Sequence, residues 1–472
     1  MAGRARFTVK ELKMKKFLIA ITACFLSAVC IFGIAGCGEK NSDKDDVGDK
    51  QEVKIVLSET SVVAEEDEIF TLAATVTPAR SVRWSSRDDK IAAVSSSGRV
   101  VAKNAGKTVI TAEAENAKAT CEVTVTAAEK GDYYITADKA AYLTSVNAES
   151  NKKIEAKLFF SGEDGDDEAD GEKLTFSSLD ESIATVSEEG EIIPVSVGTT
   201  EIIISAKGVS AYVTADVYTA AITTPQEWLA MFKEDAKHSD RYYLENDIDF
   251  EGVTYVFGRD FPVFGAEVNG NYHTVKNLTS WRDKRYSDPT RDAFQGLFGA
   301  DVFGARVKNI AFKNICFTKS DCAILADSVR MHPNNYHWGE PLYETKFSNV
   351  NIEAIYATEG SGLFKTVYGV NLENVFASLT KKDGTKFGSS FNCVVREDYL
   401  NWGLGTSVFE RVVVYVEGGT AWEKNPSSVG ITLKDSYVCE TKQDALYRAF
   451  TTFDKNVWKL SEKEMPEFRG EI

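Results

Sequence analysis

The chain has 472 residues, with 54 Lys and Arg against 71 Asp and Glu, a formal net charge of −17. Hydrophobic residues are 43% and aromatics 11%, enough to bury cores and too many for a disordered chain. The length calls for two to four domains. The charge excludes nucleic acid, whose phosphates would be repelled, and argues against a polybasic contact with an anionic membrane surface.

The first 36 residues read as a signal. Lys13, Lys15 and Lys16 precede the uncharged run "FLIAITACFLSAVCIFGIAG", 17–36. A helix of that length would be about 30 Å long, so a single transmembrane anchor is the competing reading. Ile34-Ala35-Gly36-Cys37 resembles the bacterial lipobox, which implies cleavage before Cys37 and lipidation of its thiol. A polar tether follows at 37–52, with no basic stop-transfer cluster, which favours the lipoprotein. The expected location is outside the cytoplasmic membrane, anchored by acyl chains that contribute about 0.8 kcal/mol per buried CH₂. Cys24 and Cys30 would leave with the signal. Cys121, Cys316, Cys322, Cys393 and Cys439 remain, read mostly as small buried apolar residues, with a Cys316–Cys322 bridge left open. They show no zinc spacing, and no metal site is expected.

Two all-β modules follow, 53–126 and 131–218. Runs such as "KIVLSET", "IFTLAATV" and "CEVTVTA" alternate and are β-branched, with turn residues between them. "WSSRDDKIAAVSSSGRVVAKNAGKT" at 84–108 matches "FSSLDESIATVSEEGEIIPVSVGTT" at 176–200 without a gap. Trp84 aligns with Phe176, Ile91 with Ile183, Gly98 with Gly190 and Gly106 with Gly198, always 92 residues apart. Such self-similarity marks a duplicated domain. The shared pattern resembles the bacterial Ig-like domain of group 2, which implies β-sandwiches used as spacers or adhesion modules on bacterial surfaces.

Two local motifs are rejected. "NAGKT" at 104–108 lacks the upstream Gly of a phosphate loop, and the second copy lacks the Lys. "EDGDDEADGEK" at 163–173 has calcium-like spacing from Asp166, but Ser177 stands where a bidentate Glu is needed. It reads as a solvated acidic insertion between strands, with weak calcium binding left open. No other cofactor is expected.

Residues 222–460 change texture. Thr224, Pro225 and Glu227 form a capping box that starts a helix over 225–237. Then one short motif returns: "TVKNLTS" at 274, "RVKNIAF" at 306, "KFSNVNI" at 346, "NLENVFA" at 371, "VFERVVV" at 408 and "TLKDSYV" at 432. The marked position is Asn277, Asn309, Asn349, Asn374, Arg411, then Asp435. Irregular spacing above a minimum of about 24 predicts stacked coils with inserted loops, that is, a right-handed parallel β-helix with an Asn ladder starting at Asn277. The helix would cap the first coil, and 461–472 would be a tail. "YYLENDIDF", "FGAEVNGNYHTVKNLT" and "GLFGADVFGARVKNIAFKN" resemble the GLUG-motif surface proteins over 242–320. The overall fold class is all-β: two Ig-like sandwiches, then a parallel β-helix with an N-terminal capping helix.

Most catalytic signatures are absent: there is no HExxH, GxSxG or glycine-rich dinucleotide turn. His273 lies within the recurring motif and reads as a turn residue. The candidate ligand-binding residues sit in loops that interrupt the motif. They are Trp281 and Arg282; Arg330, His332, Tyr336, His337 and Trp338; and Tyr399 and Trp402. Aromatic rings beside Arg and His suit sugar faces and hydroxyls. The reading is an anchored surface protein that displays the β-helix for adhesion or carbohydrate binding. Its partners are the membrane through Cys37 and a glycan or a host- or cell-surface ligand. The alternative is a β-helix polysaccharide lyase or glycosidase.

Overall fold

The computed structural model describes residues 53–469 except 129–131, 163–164, 170, 233–238, 252, 257–263, 282–295, 300, 318–322, 331–343, 357–361, 368, 386, 388–394, 398–406, 417–430 and 462. The expected signal, the tether and Cys37 lie outside the described residues.

Alternation builds the first module. Gly106–Ala114 and Ala117–Thr126 pair antiparallel, with alternate side chains turned inward along much of their length. Their inward set, Ile110, Ala112, Cys121, Val123 and Val125, packs with Leu72, Val100 and Ala102 from a second layer of strands. One layer is ordered Ser61–Glu65, Ala117–Thr126, Gly106–Ala114, Arg83–Ser86. The second module repeats it as Ala141–Ser145, Val209–Tyr218, Gly198–Ala206, Thr175–Ser178. The last three of these strands keep the 92-residue offset. The second module adds a short edge strand, Gly165–Glu168, from its acidic insertion.

The repeated motif residues touch one another. Gly98 and Gly190 both have φ +83°. A Cβ on Gly98 would lie 2.8 Å from Trp84, and one on Gly190 3.0 Å from Phe176. Gly106 likewise sits under Ile91, as Gly198 sits under Ile183. The glycine of "NAGKT" therefore serves strand packing.

The two modules join by outer faces. Ala93 and Val101 of the first meet Leu179, Ile203 and Tyr212 of the second. Ser96 donates to Asp180 from its backbone N–H at 3.0 Å and from its hydroxyl. Lys103 Nζ lies 3.2 Å from Glu201 Oε1, and Tyr212 donates to Asp67 at 2.5 Å. Burial would raise Asp180, but hydrogen bonds from Ser182 and Ser96 outweigh it and hold its carboxyl below the ordinary range.

From Ala220 onward the main pairing is parallel. One sheet passes through Ala220–Ile222, Arg241–Leu244, Glu267–Asn269, Arg306–Phe317, Thr345–Tyr356, Val370–Lys381, Ser407–Val416 and Ile431–Lys434. A second runs Asp301–Phe303, Ala326–Arg330, Phe364–Val367, Val395–Glu397. Parallel neighbours need long returns, and here the chain visits the second sheet between visits to the first. Inward residues of both sheets, among them Phe312, Phe347, Ile352 and Phe364, share one core with Phe298 from the turn before Asp301.

Four of the expected steps hold: 40, 25, 37 and 24 residues separate bonded neighbours along the main sheet. The first does not. Lys276 pairs with Lys313, so Asn277 is followed by Asn314, while Asn269 pairs with Lys308 and precedes Asn309. The motif occurs twice within Arg306–Phe317 because that one strand turns two corners.

The corners explain the Asn. Asn277, Asn309, Asn314, Asn349, Asn374, Arg411 and Asp435 all have φ between +45° and +59°. Asn tolerates this left-handed region better than most residues. Its amide then donates to the corner before it: Asn349 to Asn309 at 2.8 Å and Asn374 to Asn349 at 3.0 Å. Arg411 continues the series, its Nε donating to Asn374 at 2.5 Å. Asp435 keeps the backbone angle, but its side chain has no N–H to donate. Asn277 and Asn314 form a separate, shorter ladder at 2.7 Å.

Two helices pack against the stack, one into its core and one on its outer face. The capping box is present, with Glu227 N–H donating to Thr224 at 3.3 Å and Thr224 N–H to Glu227 at 3.0 Å. The helix, Pro225–Ala230, drives Trp228 into the core, 6.0 Å from Phe298 and 6.1 Å from Phe312. A second helix, Lys442–Thr452, follows the last strand of the main sheet. The expected tail boundary at 460 falls inside a hairpin, Trp458–Lys459 with Glu467–Phe468. The cause is apolar residues on the outer face: Phe376, Val413, Tyr415 and Cys439 cluster with Ala445, Ala449, Phe453 and Trp458. This clasp reaches back to early rungs, placing Phe468 5.4 Å from Tyr272 and Glu467 2.8 Å from Lys313.

Arg241 bonds the stack to the second module. It donates to Asp216 at 2.8 Å and to Glu267 at 3.3 Å, and lies 4.4 Å over the Tyr218 ring. Burial opposes its charge, but Asp216 and Glu267 outweigh that and raise its pKa.

Candidate functional site

Most residues expected to bind ligand lie outside the described residues: Arg282, His332, Tyr336, His337, Trp338, Tyr399 and Trp402. Trp281 ends the strand Thr279–Trp281, and Arg330 ends Ala326–Arg330. Segments 331–343 and 398–406 follow Ala326–Arg330 and Val395–Glu397. These strands flank Phe364–Val367 in one parallel sheet. At about 4.8 Å per strand, the two departure points are about 10 Å apart.

The described surface beside the Asn corners carries charge on successive rungs. Lys308 Nζ lies 2.9 Å from Glu267, Lys346 2.6 Å from Glu373, and Arg411 2.8 Å from Glu373. Lys434 lies 3.7 Å from Glu410, which also pairs with Arg411. A hydrogen bond from Lys346 is the main cause holding Glu373 below the ordinary carboxylate range. Burial would raise Glu267, but Lys308 and Arg241 hold it down as well. Ionised carboxylates and fixed cations at rung spacing can accept from and donate to hydroxyls. A general acid instead needs a raised pKa. Sequence reasoning missed this row, though the residue before most of these corners is charged, as at Lys308, Glu373, Glu410 and Lys434.

His273 is a turn residue, its Nδ1 3.6 Å from Asp247. Asn271 N–H donates to Asn269 at 3.0 Å, so the neighbouring polar cluster serves the corner. In the acidic insertion, Asp166 accepts from Tyr134 at 2.9 Å and Glu168 pairs with Lys157 at 2.8 Å. Among the described residues no group of three or more His, Cys, Asp or Glu could hold a metal ion, and no helix is long and apolar enough to cross a membrane. Cys121 and Cys439 are buried free thiols, and Cys316 is free and half-buried. Burial, with Asp444 beside it, pushes the Cys439 thiol up to about 12.

Residues 51–125 match the family model of the bacterial Ig-like domain, group 2. That stretch is a bacterial Ig-like domain. No curated protein matches the chain. Similar solved structures include human protocadherin-24 EC1-2, at 13% identity, covering 36% of this chain and 98% of that one, with a TM-score of 0.15. Domains 5-6 of the S-layer protein SbsC are similar at 17% identity, over 34% of this chain and 95% of that one, also at 0.15. Drosophila N-cadherin EC1-4 is similar at 14% identity, over 36% and 50%, again at 0.15.

Proposed function

We propose that this is an extracytoplasmic lipoprotein, anchored through Cys37, in which two Ig-like modules hold out a right-handed parallel β-helix of the GLUG-motif type for adhesion or carbohydrate binding. The observation that carries the reading is the bonded joint at each boundary. Buried contacts at Val101 and Ile203, and the Arg241 cluster beyond them, suit a stiff spacer. Loosely linked domains would move independently. The domain limits proposed are 53–126, 131–218 and 222 to the clasp. The display surface is the charged row of rungs, together with Trp281, Arg330 and the other aromatic and basic candidates. Its paired charges match hydroxyl-rich ligands, which need many fixed donors and acceptors.

Two experiments test this. Cells expressing Cys37→Ala should release the protein or leave it uncleaved; unchanged processing and anchoring would refute the lipid anchor. The full chain on a glycan array should bind a defined glycan class, and Lys346→Ala with Arg411→Ala should lose that binding. Release of reducing sugar or unsaturated product from a polysaccharide would replace the binding reading with an enzymatic one.

A further inference from the structure

The joint between the two Ig-like modules has an unfilled counterpart on each of them. The second module offers a seat of Leu179, Asp180, Glu201 and Ile203, and the first fills it with Ala93, Arg99, Val101 and Lys103. Shifted by 92 residues, the same seat on the first module is Arg87, Asp88, Val109 and Thr111. No part of the described chain fills it. Arg87, Asp88 and Lys107 are exposed, and the face holds an open depression of about 470 Å³ lined by Arg87, Asp88, Lys107, Val109 and Glu122. The matching plug on the second module is Thr185, Glu191, Ile193 and Val195. Val101 is 0% exposed in the joint, whereas Ile193 is 39% and Val195 52% exposed, so a partner seated there would take apolar area out of water.

The differences between the copies are matched. Lys103 meets Glu201 at the existing joint; the same two positions on the vacant halves are Val195 and Val109, apolar against apolar. Arg99 approaches Ser178 O at 3.5 Å beside Leu179. In the vacant pair Glu191 would stand beside Arg87, opposite in charge. Asp180 accepts the Ser96 N–H, and its counterpart Asp88 is exposed and able to accept that of Glu188, whose own carboxylate is held by Lys173 at 2.7 Å.

We infer that copies of this chain associate head to tail, the Glu191, Ile193 and Val195 face of one seating on the Arg87 and Val109 face of the next. The contact uses two different faces, so nothing in it limits the assembly to a pair, and it can extend into a string. It does not rest on the lipid anchor or on the β-helix.

The test uses two full-length variants, Val109→Cys and Val195→Cys, purified separately and then mixed under mild oxidation. A disulfide-linked dimer should form in the mixture and in neither variant alone. A homodimer from Val195→Cys alone, or no link in the mixture, overturns the inference. Sedimentation of the unmodified chain should show size rising with concentration. Ile193→Glu, on an exposed position that leaves the fold intact by circular dichroism, should weaken association by about tenfold or more. A monomer at every concentration, or an unchanged Ile193→Glu variant, equally overturns it.

Discussion

In the sandwiches each core is private: Ile110, Cys121 and Val123 are enclosed by strands of their own module. In the parallel stack no rung owns its interior, and Phe298 touches rings contributed by Trp228, Phe264, Phe312 and Phe347. The same need, to bury one face of a sheet, is met locally in one region and by neighbours in the other. A lesion should stay confined in the first and spread in the second, as in other repeat architectures.

The largest effect should come from Phe298→Ala, removing a ring shared by several rungs. It should cost about 4 kcal/mol and lower the stack transition in calorimetry while sparing that of the sandwiches. If both transitions fall together, the regions are not separate cooperative units. Next is Arg241→Met, which leaves Asp216 and Glu267 without their shared cation. A loss of about 3 kcal/mol is expected, with proteolytic cleavage near 219–224 faster than in the unmodified chain.

Gly98→Ala and Gly190→Ala compare the two copies directly. Both force a side chain to φ +83°, but the Gly98 Cβ would lie 2.3 Å from Leu72 O, against 3.3 Å from Ile154 O at Gly190. Denaturant midpoints should show about 3 kcal/mol for the first and about 1.5 for the second. Equal losses would mean that the backbone angle alone matters. In the ladder, Asn349→Ala should cost about 2 kcal/mol and Asn349→Gly about 1, since Gly gives up the amide bonds but tolerates the corner.

The smallest effect is acid sensitivity. Glu267 has its folded pKa depressed, so its contribution is present above its unfolded value of about 4.3 and lost as pH falls below that, through the folded value. Thermal midpoints of the unmodified chain should drop more steeply below that pH than those of Glu267→Gln.

The sandwiches were legible because their signature residues touch: Trp84 lies on Gly98 and Ile91 on Gly106, so the duplication preserved contacts as well as letters. The stack steps were legible wherever one corner residue marks one rung. They misled at Asn277, because two corners of Arg306–Phe317 carry near-identical triplets and only pairing tells them apart. The clasp was missed because Phe376, Val413 and Tyr415 face outward on strands already buried inward, which blurs the period of two. The charged row was hidden since its members are single residues separated by 24 to 40 positions.

The clasp also sets an order of events. Residues 442–468 leave the ribosome after every rung they cover, yet they bind rungs as early as Tyr272 and Lys313. Until they arrive, Phe376, Val413 and Tyr415 stay open to solvent or to another chain. A translation product cut short before Trp458 would carry that adhesive strip permanently, marking it for chaperones and proteases. This segment thus acts as a seal over the outer strip of Phe376, Val413 and Tyr415.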